Sequence, residues 1–240
     1  MISLPNHTLP SLLSHLHSLT NPKNIEGMKR YGITSKKVLG ISAPVMRSIA
    51  KAIGKNHLLA SQLWKTGIYE ARQIASLIDD PKLVTEKQMN AWAKAFDNWA
   101  ICDGCCMNLF DKTPFAYTKA HEWSSAEPEF VKRAGFALMA ALAVHDKKAN
   151  DVRFLEFFPD LIRGASDERN LVKKAVNWAL RQIGKRNLTM NGKAIFLSEK
   201  IRELDTPSAR WIATDALREL RSSAVLTRLK AREKRRVSSK

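Results

Sequence analysis

The sequence predicts an all-α protein assembled from stacked helical repeats. Nearly every segment carries apolar residues at helical spacing, and no alternating run is long enough for a strand. Ten Gly and nine Pro are too few for a turn-rich all-β chain. A helix type that opens on a cation and continues into a small, Ala-rich run recurs along the chain.

The elements follow in order. Leu9, Leu12, Leu13, Leu16 and Leu19 form a helical stripe that Asn21-Pro22 ends. A second helix over 25–31 stops at Gly32. Ser42-Ala43-Pro44 opens a third, with Pro44 in its first turn, Val45, Ile49 and Ile53 on one face, and Gly54 closing it. Helices are then predicted over 57–65, 69–78, 87–96 and 98–110. Beyond Thr113-Pro114 they run over 115–122, 129–144, 151–162, 170–184, 190–204, 208–220 and 224–234.

Four of these helices share a pattern: Arg72-Gln-Ile-Ala-Ser-Leu, Arg133-Ala-Gly-Phe-Ala-Leu, Lys174-Ala-Val-Asn-Trp-Ala-Leu and Arg210-Trp-Ile-Ala-Thr-Asp-Ala-Leu. Arg133 to Lys174 spans 41 residues and Lys174 to Arg210 spans 36. Arg72 to Arg133 spans 61, nearly two periods, and Asp103-Gly-Cys-Cys-Met-Asn-Leu falls in the gap. Two helices per period of about 35 to 45 residues imply a HEAT-like or armadillo-like solenoid. The second helices of such repeats line a concave surface. Arg72, Arg133, Lys174 and Arg210 are therefore expected to form a basic concave groove, with Asp103 as the acid among them. The expected organisation is one solenoid domain over 1–227 and a basic tail over 228–240.

Charge narrows the partner. The chain holds 40 Lys+Arg against 23 Asp+Glu, a net +17. The tail supplies seven cations against Glu233 alone, so most of the excess is built into the folded part. A polyanion is the natural partner, with counterion release driving its binding. The N-terminal run Met1-Ile-Ser-Leu-Pro-Asn-His7 has neither a basic n-region nor an apolar core, which predicts no signal peptide. No apolar run approaches the roughly 20 residues of a membrane span. Cys102, Cys105 and Cys106 are odd in number and local, as expected in a reducing cytoplasm. They lack the second ligand pair of a structural zinc site, so they are read as packed side chains with no metal. No glycine-rich phosphate cradle is present, so no nucleotide cofactor is expected.

Two runs carry candidate chemistry. Asp97-Asn-Trp99-Ala-Ile-Cys-Asp103 places an indole and a carboxylate at i and i+4, on one face of a helix that Asp97 or Asn98 would cap. In Lys174-Ala-Val-Asn-Trp178-Ala-Leu-Arg181, one face presents cation, indole, cation, a combination suited to a phosphate backbone and a sugar or base face. The bland alternatives are a helix-start acid and a core Trp flanked by solvated bases.

These two runs resemble the AlkD-like family of DNA alkylation repair glycosylases. So do Val131-Lys-Arg-Ala134, Lys29-Arg-Tyr31 ahead of Leu39-Gly-Ile-x-x-Pro44-x-x-Arg47, and Ala209-Arg-Trp-Ile-Ala, a likeness spanning roughly 25–220. The resemblance implies a HEAT-like solenoid that wraps duplex DNA and excises cationic N3- and N7-alkylated purines without base flipping. It implies Asp103 as the catalytic carboxylate, Trp99 and Trp178 as aromatic walls, Arg181 and Arg133 on backbone phosphates, and Tyr31 near the lesion. Cys105-Cys106 and the basic tail depart from the pattern.

The implied chemistry is coherent. A cationic purine is already a good leaving group, so no general acid is required. The sugar develops oxocarbenium character, which a carboxylate and indole faces stabilise. The expected protein is thus a monomeric, monofunctional, cytoplasmic enzyme without cofactor, nucleoid-associated when bound to alkylated double-stranded DNA. A non-catalytic solenoid for branched or distorted DNA is the alternative, and a protein-binding scaffold is disfavoured by the basic charge.

Overall fold

Caps, breakers and apolar stripes set the helices of this protein, which we describe from a computed structural model covering residues 8–238, with side chains to 235. The run 1–7, read above for a signal peptide, and residues 239–240 of the tail lie outside the described residues. The first half comprises α1 (Leu9–Ser18), α2 (Pro22–Arg30), α3 (Ala43–Ile53), α4 (His57–Lys65), α5 (Tyr69–Ile78), α6 (Glu86–Lys94), α7 (Trp99–Asn108) and a 3-10 turn at Phe110–Lys112. The second comprises α8 (Ala116–Ser124), α9 (Glu129–His145), α10 (Val152–Leu155), α11 (Phe158–Ala165), α12 (Asn170–Gly184), α13 (Leu188–Arg202), α14 (Pro207–Leu220) and α15 (Ser223–Ser238). Among the described residues there is no strand, and the fold is all-α. No helix is long and apolar enough to cross a membrane among the described residues.

Two departures from the predicted elements have local causes. The helix expected over 151–162 is broken into α10 and α11, with Pro159 in the first turn of α11. Proline there has no N–H to bond the Leu155 carbonyl and continue the α10 ladder. The helix expected over 98–110 stops at Asn108 and tightens into the 3-10 turn.

The chain divides into two compact units, Met1–Phe115 and Ala116–Lys240, where the sequence predicts one domain over 1–227. α15 spans residue 228, the expected start of the basic tail. In the first unit Trp64 and Trp92 stack with ring centroids 4.0 Å apart, and Phe96 meets Trp64 edge-on. Such pairs add about 1 kcal/mol beyond the area they bury. In the second unit α9 is buried along most of its length, and its Ala residues permit close packing against α8 and α12. Gly135 is required there, since a Cβ would lie 2.3 Å from the Ser124 amide nitrogen.

Candidate nucleic-acid interface

In the first unit the site is built on α7. Asn98 starts the helix: its Oδ1 accepts from the amides of Ala100 (2.9 Å) and Ile101 (3.0 Å). Its Nδ2 donates to Ser35 Oγ (2.7 Å) and to Asp97 (2.9 Å). Of the two expected caps, Asn98 is therefore the one in place, and Asp97 supports it. The helix is fastened to α5 by polar bonds, Gln73 donating to the Ala100 carbonyl (2.9 Å) and Asn108 to Ser76 (3.1 Å). Gly104 permits the approach, because a Cβ there would sit 2.5 Å from Gln73 Oε1.

This fastening buries Ile101, Cys102, Cys105 and Cys106 and leaves Trp99 and Asp103 half-buried, one turn apart. Burial pushes the Cys105 and Cys106 thiols well above their ordinary values, which fits packed, protonated side chains. Trp99 Nε1 donates to the Tyr31 carbonyl (2.8 Å), so the indole is fixed in orientation. It edges a cleft of about 740 Å³ lined also by Gly27, Met28, Tyr31, Ile33 and Ile41. Tyr31 itself is 77% exposed beside that cleft.

Sequence reasoning missed what holds Tyr31 in place. Glu70 is fully buried on α5, and its carboxylate accepts from the amides of Leu39 (2.9 Å), Gly40 (2.7 Å) and Ile41 (3.2 Å). The loop so fixed receives α2: the Asn21 amide donates to the Leu39 carbonyl (2.7 Å) and Asn24 Nδ2 to that of Gly40 (2.9 Å). Gly40 has φ +78°, and a Cβ would approach the Asn21 carbonyl to 2.3 Å. The Leu39-Gly40-Ile41 motif is thus a joint that sets α2, and through α2 the Tyr31 carbonyl that receives Trp99. In the sequence Glu70 falls on the apolar stripe of α5 with Ile74 and Ile78, a hint of burial that does not name its partners.

In the second unit, α12 carries Lys174, Trp178 and Arg181. Lys174 is exposed and Trp178 half-buried. Arg181 pairs with Glu219 and reaches Asp215 at 3.5 Å, while Lys185 also bonds Glu219. Burial alone would raise the Glu219 carboxyl, but the Lys185 bond and the Arg181 charge hold it below its ordinary value. Asn177 donates to Asp215 (2.7 Å), which completes a link between α12 and α14. Lys173 lies over the ring of Trp211, 40% exposed, at 5.3 Å.

The open basic stripe expected from the repeats requires correction, since its four cations have different fates. Arg133 is buried and donates to the Leu171 carbonyl (2.6 Å), a strut between α9 and α12. The adjacent Lys132 is paired with Asp167 (3.0 Å). Arg72 lies 4.9 Å over Trp64 and donates to the Ala95 carbonyl (3.2 Å). Arg210 is exposed but paired with Asp205, and Lys174 is exposed with no side-chain ion pair among the described residues. A cation leading an Ala-rich helix sits near backbone carbonyls and neighbouring acids, which compete with solvent for it. Within the first unit Tyr31, Trp99 and Asp103 belong to one neighbourhood; Trp178 and Arg181 share a face in the second.

All-helical packing with paired helices defines the class, a HEAT-like repeat fold. A solved structure described as "a new family of proteins related to the HEAT-like repeat DNA glycosylases with affinity for branched DNA structures" matches it with a TM-score of 0.70, at 20% identity over 79% of this chain and 81% of that one. Curated protein sequences give no match. The family model for the DNA alkylation repair enzyme matches residues 12–220, and the chain belongs to that family.

Proposed function

We propose that the protein is a monofunctional DNA glycosylase that releases cationic N3- and N7-alkylated purines from duplex DNA without drawing the base into a pocket. The observation that carries this reading is the pairing on α7 of an indole pinned by the Tyr31 carbonyl with a half-buried carboxylate one turn on. In this role Asp103 works ionised, opposite the positive charge that grows on the sugar, and orients the attacking water. Trp99 presents its ring face to that developing cation, and Trp178 supplies an aromatic face in the second unit. Tyr31 lies near the lesion, and Lys174 and Arg181 hold the backbone. A neutral lesion gains little from such a site, because its leaving base would need a proton and an ionised Asp103 has none to give. Membership of the DNA alkylation repair enzyme family supports the reading.

The test is release of free 7-methylguanine from a methylated duplex, measured against spontaneous depurination. Release well above that background is expected, and none above it would refute the proposal. A second reading is favoured by one specific finding, the branched-DNA affinity ascribed to the structurally similar protein. On that reading the protein binds four-way or forked DNA more tightly than linear duplex and releases no base.

A further inference from the structure

We propose that α15, together with Lys147 and Lys148 of the α9–α10 loop, forms an additional strip that binds the phosphodiester backbone of DNA. α15 lies beyond residue 220, where the family match ends, while Lys147 and Lys148 lie within it. The inference rests on the reading of the protein as DNA-binding.

Four observations within the second unit carry it. Val225 and Leu229, at i and i+4, anchor α15 and are 5% and 1% exposed. Arg228, Lys230 and Arg232 remain exposed. Two clefts, of about 580 and 560 Å³, meet at Arg232. One is lined by Lys147, Lys148 and Arg186, the other by Arg228 with Ala224 and Ala231, whose small side chains let a backbone come close.

The loop is held ready by a buried charge. Arg186 Nη atoms donate to the carbonyls of Ala143 (3.1 Å), Asp146 (2.8 Å) and Ala149 (3.0 Å), and the guanidinium lies 3.7 Å over the Phe154 ring. Its side chain is 7% exposed, and its Nε is buried without a hydrogen-bond partner. The positive charges here are incompletely offset. Asp151 lies 3.6 Å from Arg186 and accepts from Asn187 (2.7 Å), and Glu233 lines the same cleft. Lys147, Lys148, Arg228, Lys230 and Arg232 form no ion pair among the described residues, whereas Arg163, Arg169, Arg181, Arg210, Arg218 and Arg221 all do. Burial, then the charges of Arg232 and Arg186, push the Lys147 ammonium below its ordinary value. A phosphodiester entering the clefts relieves this crowding, and it supplies the counter-charge that the protein withholds.

The experiment titrates the full-length protein with undamaged fluorescent duplex across a salt series. The variant K147Q/R228Q/R232Q is compared with the charge-preserving K147R/R228K/R232K, both checked by thermal unfolding. Each lost phosphate contact lowers the slope of log K against log salt by about 0.9. The Gln variant should therefore lose up to about 2.7 in slope, with roughly tenfold in affinity near 0.1 M salt for each contact removed. The charge-preserving variant should match wild type. A Gln variant with wild-type slope, or a charge-preserving variant that fails equally, would overturn the strip. Release of 7-methylguanine at saturating DNA separates the two proposals. If the slope falls as expected but wild type releases no base, the strip stands and the glycosylase reading fails. If base is released and the slope does not fall, the reverse holds.

Discussion

Asp103 and Trp99 owe their placement to residues that do no chemistry. Asn98 satisfies two amides at the start of α7 and ties that start to Ser35. Asn98→Ala should cost about 1–2 kcal/mol, as cap removals do, measured by urea unfolding. Glu70 has a larger task, since three amides point at one buried carboxylate. Glu70→Gln turns one acceptor into a donor facing those amides. It should cost about 2 kcal/mol or more and shift the Trp99 fluorescence, because the Tyr31 carbonyl moves with α2. An unchanged melting temperature would remove Glu70 from this role. At this scale the sequence was legible where chemistry is local: the cap needed only Asn98 and its own helix. Glu70 was not legible, because its partners lie about thirty residues away and no spacing rule links them.

The elements were legible for the same reason. Residues 57–65, 69–78 and 170–184 were predicted as helices with the observed limits, since their apolar stripes sit within one segment. The break at Pro159 was missed because the apolar pattern continues across it. The pairing of the repeat-leading cations was not legible because it is tertiary, and α9 turns Arg133 inward against α12. Between these helices the Arg169 bond, opposed by burial and aided by Lys132, holds the Asp167 carboxyl well below its ordinary value. A carboxyl depressed on folding adds stability that is complete above its unfolded value, near 3.9, and is lost as pH falls below it. Asp167→Asn should therefore destabilise the protein more at pH 7 than at pH 3, measured by urea unfolding at both. An equal loss at the two values would contradict this coupling.

Across the whole chain, a net +17 made a polyanion partner legible from composition alone. Which cations are available was not, because Arg210 is paired with Asp205, Arg181 with Glu219, and Arg133 is buried against the Leu171 carbonyl. The family is established over residues 12–220, while the proposed catalytic role turns on one side chain. The most direct measurement is single-turnover release of 7-methylguanine from duplex DNA by wild type and by Asp103→Asn, with DNA affinity measured alongside. The account predicts that the variant loses at least about a hundredfold in rate, the scale expected when an electrostatic stabiliser of the transition state is removed, while its affinity is kept or improved. Turnover equal to wild type would contradict it.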